Sequence, residues 1–98
     1  VVITAGIWVV KEGRGDEFAR RWQESADSMA LEVPGLSFKL LRDRENPQRY
    51  LSLGEGWRNA EQVESVRESP GFQDSMAAIW RVLESGDTST LDLVAEIS

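Results

Sequence analysis

Glu55 and Tyr50 are the two side chains of this sequence that residue type and neighbourhood mark for proton chemistry. Glu55 stands between Gly54 and Gly56 within the otherwise apolar stretch 51–57. Withdrawn from water there, its pKa would rise and it could act as a general base near neutrality. Left at a solvated strand edge, it would be an ordinary surface carboxylate. Tyr50 is the only phenol. Its hydroxyl could orient a substrate oxygen or stabilise an oxyanion, or it could stand exposed on a hairpin. Lys39, between Phe38 and Leu40, is placed to pair with Glu55 across that hairpin in a structural ion pair.

A flat ligand would be held by large rigid surfaces, and four Trp in 98 residues is a high count. Trp8 shares its strand parity with Gly6, so the pair could frame a slot or could pack as core. Trp57 follows two glycines at a strand end, Trp22 and Trp80 fall on helical stripes that face a sheet, and Phe72 and Met76 share the stripe of Trp80. The candidate substrate-binding set is Gly6, Trp8, Trp57, Phe72, Met76 and Trp80, with core packing as the competing role for each. The chain has neither Cys nor His, which removes thiolate catalysis, disulfides, imidazole acid–base chemistry and most zinc or haem ligation. Phosphate-binding glycine loops and nucleophile elbows are also missing. No metal and no cofactor is expected.

The net charge of −6, with basic residues scattered rather than clustered, excludes a nucleic-acid or anionic-membrane surface. No apolar run reaches the roughly 18 residues that span a bilayer. Residues 1–10 are the longest such run and lack the basic flank and cleavage site of an export signal, so the cytoplasm is the expected compartment. One domain over residues 1–98 is the natural unit at this length.

The elements that would position these residues follow from hydrophobic period. Residues 1–10 are apolar on both parities, the mark of a strand covered on both faces. Phe18, Trp22, Ala26, Met29 and Val33 recur at helical spacing, with Asp16 as the expected cap and Pro34-Gly35 as the stop. Leu36 to Arg42 and Arg49 to Trp57 form an antiparallel hairpin around the turn Asp43-Arg44-Glu45-Asn46-Pro47. Gly54 and Gly56 mark a bulge or a close approach to the backbone. Asn59 caps a helix over 60–68 whose charges read as a solvated face. Ser69-Pro70-Gly71 interrupts it, and Phe72, Met76, Ile79, Trp80 and Leu83 make a further stripe closed by Gly86. Thr88 to Ile97 reads as the last strand.

The order β-α-β-β-α-β predicts an α+β, ferredoxin-like sandwich: a four-stranded antiparallel sheet with helices on one face. The other face is apolar too. A patch of several hundred Å² is rare on a soluble monomer, so a second copy packed sheet to sheet is expected.

The Gly-containing turn after the first strand and the long amphipathic helix are followed by Pro34-Gly35-Leu36. Arg42-Asp43 faces Asn46-Pro47 and Tyr50 across the hairpin, Glu55 precedes Trp57, and Ser69-Pro70-Gly71-Phe72 joins the helical pieces. In this order and spacing the chain resembles the antibiotic biosynthesis monooxygenase family of dimeric α+β barrels. The resemblance implies a homodimer with a pocket between sheet and helices. It also implies, for one branch, cofactor-independent oxygenation of aromatic polyketides. The haem-degrading branch uses an Asn, a Trp and an axial His where this chain has Gly6, Val66 and Met76, so haem degradation is not implied. The expected activity is a cofactor-independent monooxygenase acting on a small aromatic, with Glu55 or Tyr50 assisting proton removal. The alternative is a non-catalytic dimeric module that binds a small apolar molecule.

Overall fold

Nine residues rich in β-branched side chains make Val2–Val10 strand β1 in a computed structural model describing residues 1–98. Helix α1 (Gly15–Glu32), strands β2 (Ser37–Arg42) and β3 (Arg49–Trp57), helices α2 (Ala60–Arg67) and α3 (Pro70–Trp80), and strand β4 (Leu83–Asp92) follow. The four strands form one antiparallel sheet in the order β2-β3-β1-β4. This is the expected ferredoxin-like α+β arrangement, with the second helix divided in two at Ser69-Pro70. No helix is long and apolar enough to cross a membrane.

The break between α2 and α3 is written in capping chemistry. Asn59 Oδ1 accepts the Gln62 N–H at 2.9 Å and Ser69 Oγ accepts the Phe72 N–H at 3.3 Å, with Pro70 in the first turn of α3. Helix α1 begins differently. Its cap residue is Arg14, no side chain caps it, and Asp16 lies inside the first turn. The expected Asp16 cap is corrected: Glu12-Gly13-Arg14-Gly15 turns two residues sooner, and Asp16 meets the helix dipole from within.

The end of the chain also departs from its pattern. Helix α3 stops at Trp80, and β4 starts at Leu83 rather than Thr88. Leu83 continues the helical spacing of Phe72, Met76 and Ile79, but β1 remains available for pairing as far as Val10, which takes Leu83 as its partner. Gly86 is a strand residue facing Trp8, not a helix terminator. Residues 93–98 form no regular element.

Register decides which side chains meet. Trp8, Tyr50, Ser52, Gly54, Phe38 and Leu40 share the helix-covered face, while Ile3, Ala5, Ile7, Leu41, Leu51 and Leu53 share the other. Between the pairs Thr4–Gly54 and Val2–Trp57, β3 takes three steps to two on β1. That extra residue is a β-bulge, and Gly56 within it has φ +95°, a backbone that favours glycine. The bulge reverses the alternation, so Trp57 turns to the helix face although it shares odd numbering with Leu51 and Leu53.

Two core clusters fill the helix face. Trp8, Val10, Phe18, Tyr50, Ile79, Val82 and Leu83 form one; Leu36, Trp57 and Val63 form the other.

Candidate functional site

The two clusters do not close completely on one another, and between them lies an apolar cavity of about 80 Å³. Two aromatic chains flank it. Phe18 stacks at tilted angles against Trp8 (6.2 Å between ring centres) and Tyr50 (5.0 Å). Phe38 stands edge-on between Trp22 (6.4 Å) and Trp57 (6.3 Å). Thirteen of the nineteen lining residues are hydrophobic, so the space is apolar.

Glycines make the aromatic wall possible. A Cβ on Gly6 would lie 2.5 Å from Trp8 Cζ2, and one on Gly86 would lie 2.7 Å from Trp8 Cε3. The indole therefore lies flat on the sheet over two positions that hold no side chain. The expected slot at Gly6 exists, but Trp8 itself fills it, and the ring is 4% exposed. Gly54 does the same for Phe38, whose Cε1 would meet a Cβ there at 2.8 Å.

Each buried indole N–H has one partner. Trp57 Nε1 donates to Thr4 Oγ1 at 3.0 Å, and that hydroxyl passes its own hydrogen to the Gly54 carbonyl at 3.5 Å. Trp8 Nε1 donates to Ser52 Oγ at 3.0 Å. Ser52 donates to no protein acceptor, so its hydrogen is free for a guest in the cavity it lines. An N–H that donates to a hydroxyl polarises it and makes it a better donor in turn.

The cavity widens toward the surface. A second depression, about 330 Å³, shares Trp8, Arg67, Phe72, Met76 and Thr88 with it and adds Trp80, Gly86 and Asp87. Trp80 is 46% exposed and stands at this mouth. Its expected place in the core is corrected: the stripe read from α3 turns Ile79 inward, and the adjacent position faces out.

Of the candidate residues, the structure brings Trp8, Trp57, Phe72 and Met76 to the cavity, with Gly6 beneath Trp8 and Trp80 at the entrance. Glu55 and Tyr50 are not brought there. Glu55 is exposed on the bulge, opposite Ser37 on the face away from the helices. Lys39 lies opposite Leu53, and no ion pair joins it to Glu55. The Tyr50 ring is buried against Phe18, but its hydroxyl points past the sheet end toward Gly15, whose Cβ would lie 2.7 Å from it. It borders a separate polar depression with Lys11, Asp16, Arg42 and Gln48.

Ser52, Thr4, Phe38 and Arg67 line the cavity although residue type and spacing did not point to them. Ser52 and Thr4 did leave a trace: each is a hydroxyl set among apolar strand residues and opposite a glycine, Gly6 and Gly54. Arg67 was hidden in the charge-rich stretch of α2.

The ion pairs sit elsewhere and serve the frame. Glu17 bridges Arg14 and Arg21, whose nearest contacts are 2.5 and 2.6 Å. The Arg14 hydrogen bond, with help from Arg21, holds the Glu17 carboxyl below its ordinary pKa. Arg21 also donates to the Ala78 carbonyl at 2.8 Å, tying α1 to the last turn of α3, where a cation suits the helix dipole.

A four-stranded antiparallel sheet with helices on one face and an aromatic cavity between the two layers defines a ferredoxin-like α+β fold. The chain belongs to the antibiotic biosynthesis monooxygenase family, whose model matches residues 1–78. Among solved structures it is similar to SnoaB, a cofactor-independent oxygenase from Streptomyces nogalater, in a mutant form (TM-score 0.84, 18% identity, covering 98% of this chain and 95% of that one). Similar folds occur in proteins provisionally named antibiotic biosynthesis monooxygenases. One is from Deinococcus radiodurans (TM-score 0.83, 14% identity, 100% and 97% covered). Another is from Bordetella bronchiseptica (TM-score 0.82, 18% identity, 96% and 97% covered). No curated protein matches the sequence.

Proposed function

We propose that this chain, one domain over residues 1–98, is a cofactor-independent monooxygenase that oxidises a small flat aromatic in the cavity between sheet and helices. The observation that carries this reading is the Trp8–Ser52 pair: a buried indole N–H polarising a hydroxyl whose own hydrogen is free, inside a space walled by aromatic rings. In such chemistry the substrate's enolate or phenolate supplies the electrons. For an anthrone-type methylene, one oxygen atom of O₂ becomes the ring carbonyl and the other leaves as water with the two methylene hydrogens. Ser52 would donate to the substrate oxygen that carries the negative charge, and the side chains of Trp8, Trp57, Phe72 and Met76 would fix its plane and exclude water. Family membership and the SnoaB likeness support the reaction class.

Oxygen uptake with anthrone and naphthol substrates tests the reading. Uptake should fall about 100- to 1,000-fold in Ser52→Ala, the loss expected on removal of one oxyanion donor. It should persist in Glu55→Gln and Tyr50→Phe, because both groups lie off the cavity. No uptake across the panel, with aromatic binding retained, would establish the second reading, a non-catalytic binding module. That reading is favoured by one feature: no carboxylate, phenol or amine lines the cavity to act as a base.

The assembly we propose is a two-fold homodimer through the helix-free face. Ile7, Leu41 and Leu91 on that face are 43%, 48% and 47% exposed, and no segment of the chain covers them. Ile3, Val9, Leu51 and Leu53 extend the same surface, a patch suited to a self-complementary interface. Sedimentation at micromolar concentration should give twice the 11.0 kDa chain mass; a monomer would sink it. The cytoplasm is the compartment proposed, on the composition alone.

A further inference from the structure

We propose that the guest enters this cavity already ionised, as an aromatic oxyanion, and that Arg67 at the junction of cavity and mouth selects it. The proposal rests on the cavity being a ligand site and names the class of ligand. Arg67 is the only charged residue among the nineteen that line the cavity, and it also borders the mouth. Its side chain is 26% exposed and lines the same depression as Phe72 and Met76, while its one anionic partner, Glu64, is 61% exposed and 3.5 Å away. A long contact to a solvated carboxylate holds a guanidinium weakly. No other acceptor of the chain takes an Arg67 N–H, so most of its donors remain available beside the apolar space that Arg67 lines. Asp87 also borders the mouth, but it pairs with Ile7 on the opposite-face parity of the sheet and makes no ion pair with Arg67.

The second leg is what the cavity lacks. Its polar groups are hydroxyls, indole N–H groups, backbone amides and this guanidinium, so nothing within it can take a proton from a neutral phenol or enol. A guest that is to be electron-rich there must bring its negative charge with it. The protein carries a net charge of −6 and would repel anions at long range. A cation at the mouth therefore acts locally, offsetting desolvation of the anion as the ring slides between Trp80 and Phe72. A guanidinium can give a carboxylate two parallel N–H donors and a phenolate a charge-assisted hydrogen bond to its single oxygen.

Titration of the purified protein by calorimetry separates the outcomes. The probes are two matched pairs: 2-naphthoate against neutral 2-naphthalenemethanol, and 4-nitrophenolate against 4-nitroanisole at mildly alkaline pH. The native protein should bind each anion at least about tenfold more tightly than its neutral partner, as a charge-assisted hydrogen bond allows. Arg67→Gln should erase that preference while leaving affinity for the neutral probes unchanged, and Arg67→Lys should keep part of it. Preference for only one anion would name the oxyanion class. Should the variants not fold, salt provides the reading on the native protein: anion affinity must fall with ionic strength and neutral affinity must not. Equal binding of anion and neutral partner, or a preference that survives Arg67→Gln, overturns the selection while leaving the cavity as a ligand site. Failure of every probe to bind overturns the ligand site itself.

Discussion

The two faces of one sheet, built by the same four strands, solve different problems. The helix-covered face carries the bulky rings Trp8, Tyr50, Phe38 and Trp57, of which Trp8 and Phe38 lie over glycines that give them room, with hydroxyls matched to the indole N–H groups of Trp8 and Trp57. The open face carries aliphatics (Ile3, Ile7, Leu41, Leu51, Leu53, Leu91) and no such provision for polar atoms or ring shape. Aliphatic surface tolerates many packings, so it suits contact with another copy. Rings over glycines admit one arrangement only, so they suit a cavity of fixed form. Apolarity alone does not distinguish the two faces; the presence of steric vacancies and paired polar atoms does.

The contrast can be tested most severely at Phe18, which is fully buried between Trp8 and Tyr50. Phe18→Ala should cost about 3–5 kcal/mol in urea unfolding, the usual range for a core aromatic; a loss below about 1 kcal/mol would mean the helix face is as forgiving as the open one. Ile7→Asp addresses the other face. It should leave the monomer folded by circular dichroism but weaken association by about 3 kcal/mol or more, because the charge would be buried in the interface. Gly6→Ala puts a methyl where the Trp8 indole lies, and overpacking of this kind costs about 1–3 kcal/mol. Trp8 should tilt, with a changed near-ultraviolet dichroism, whereas Ala5→Gly on the open face should not alter that signal.

The smallest effect lies at the rim. Glu17, held below its ordinary pKa by the Arg14 hydrogen bond, binds fewer protons folded than unfolded in the acid range. Its contribution is present above the unfolded carboxylate pKa and is lost as pH falls through the lowered folded value. Asp43, lowered by the backbone N–H groups of Glu45 and then Asn46, follows the same sign. Glu17→Gln should therefore lower the melting temperature slightly at neutral pH and not at all well below the carboxylate range. An equal loss at both ends would show that the side chain acts through packing.

Much of the frame was legible. The double apolarity of β1 foretold a sheet apolar on both faces, Phe18 and Ala26 marked the buried stripe of α1, and Asn59 and Ser69-Pro70 placed the starts of α2 and α3. The site was legible in residue type but less so in place. Trp8 and Trp57 were drawn to the cavity, although two-residue alternation assigns Trp57 to the wrong face until the bulge at Gly56 is counted. Glu55 drew attention by its apolar neighbours, yet Leu51 and Leu53 lie on the helix-free face. Arg67 lacked any local sign, since a helix turned by a few tens of degrees decides whether a charge meets water or a cavity.

Composition and period alone determined that this chain has no thiol or imidazole chemistry, that its strands and helices alternate as they do, and that both faces of its sheet are apolar. These follow from residue identity and from spacing along the backbone. Only the tertiary structure decided that Ser52 would meet Trp8, that Gly6 and Gly86 would lie beneath one indole, and that Tyr50 and Glu55 would point away. Those are matters of register, bulge and helix rotation, each set by contacts between residues far apart in the chain.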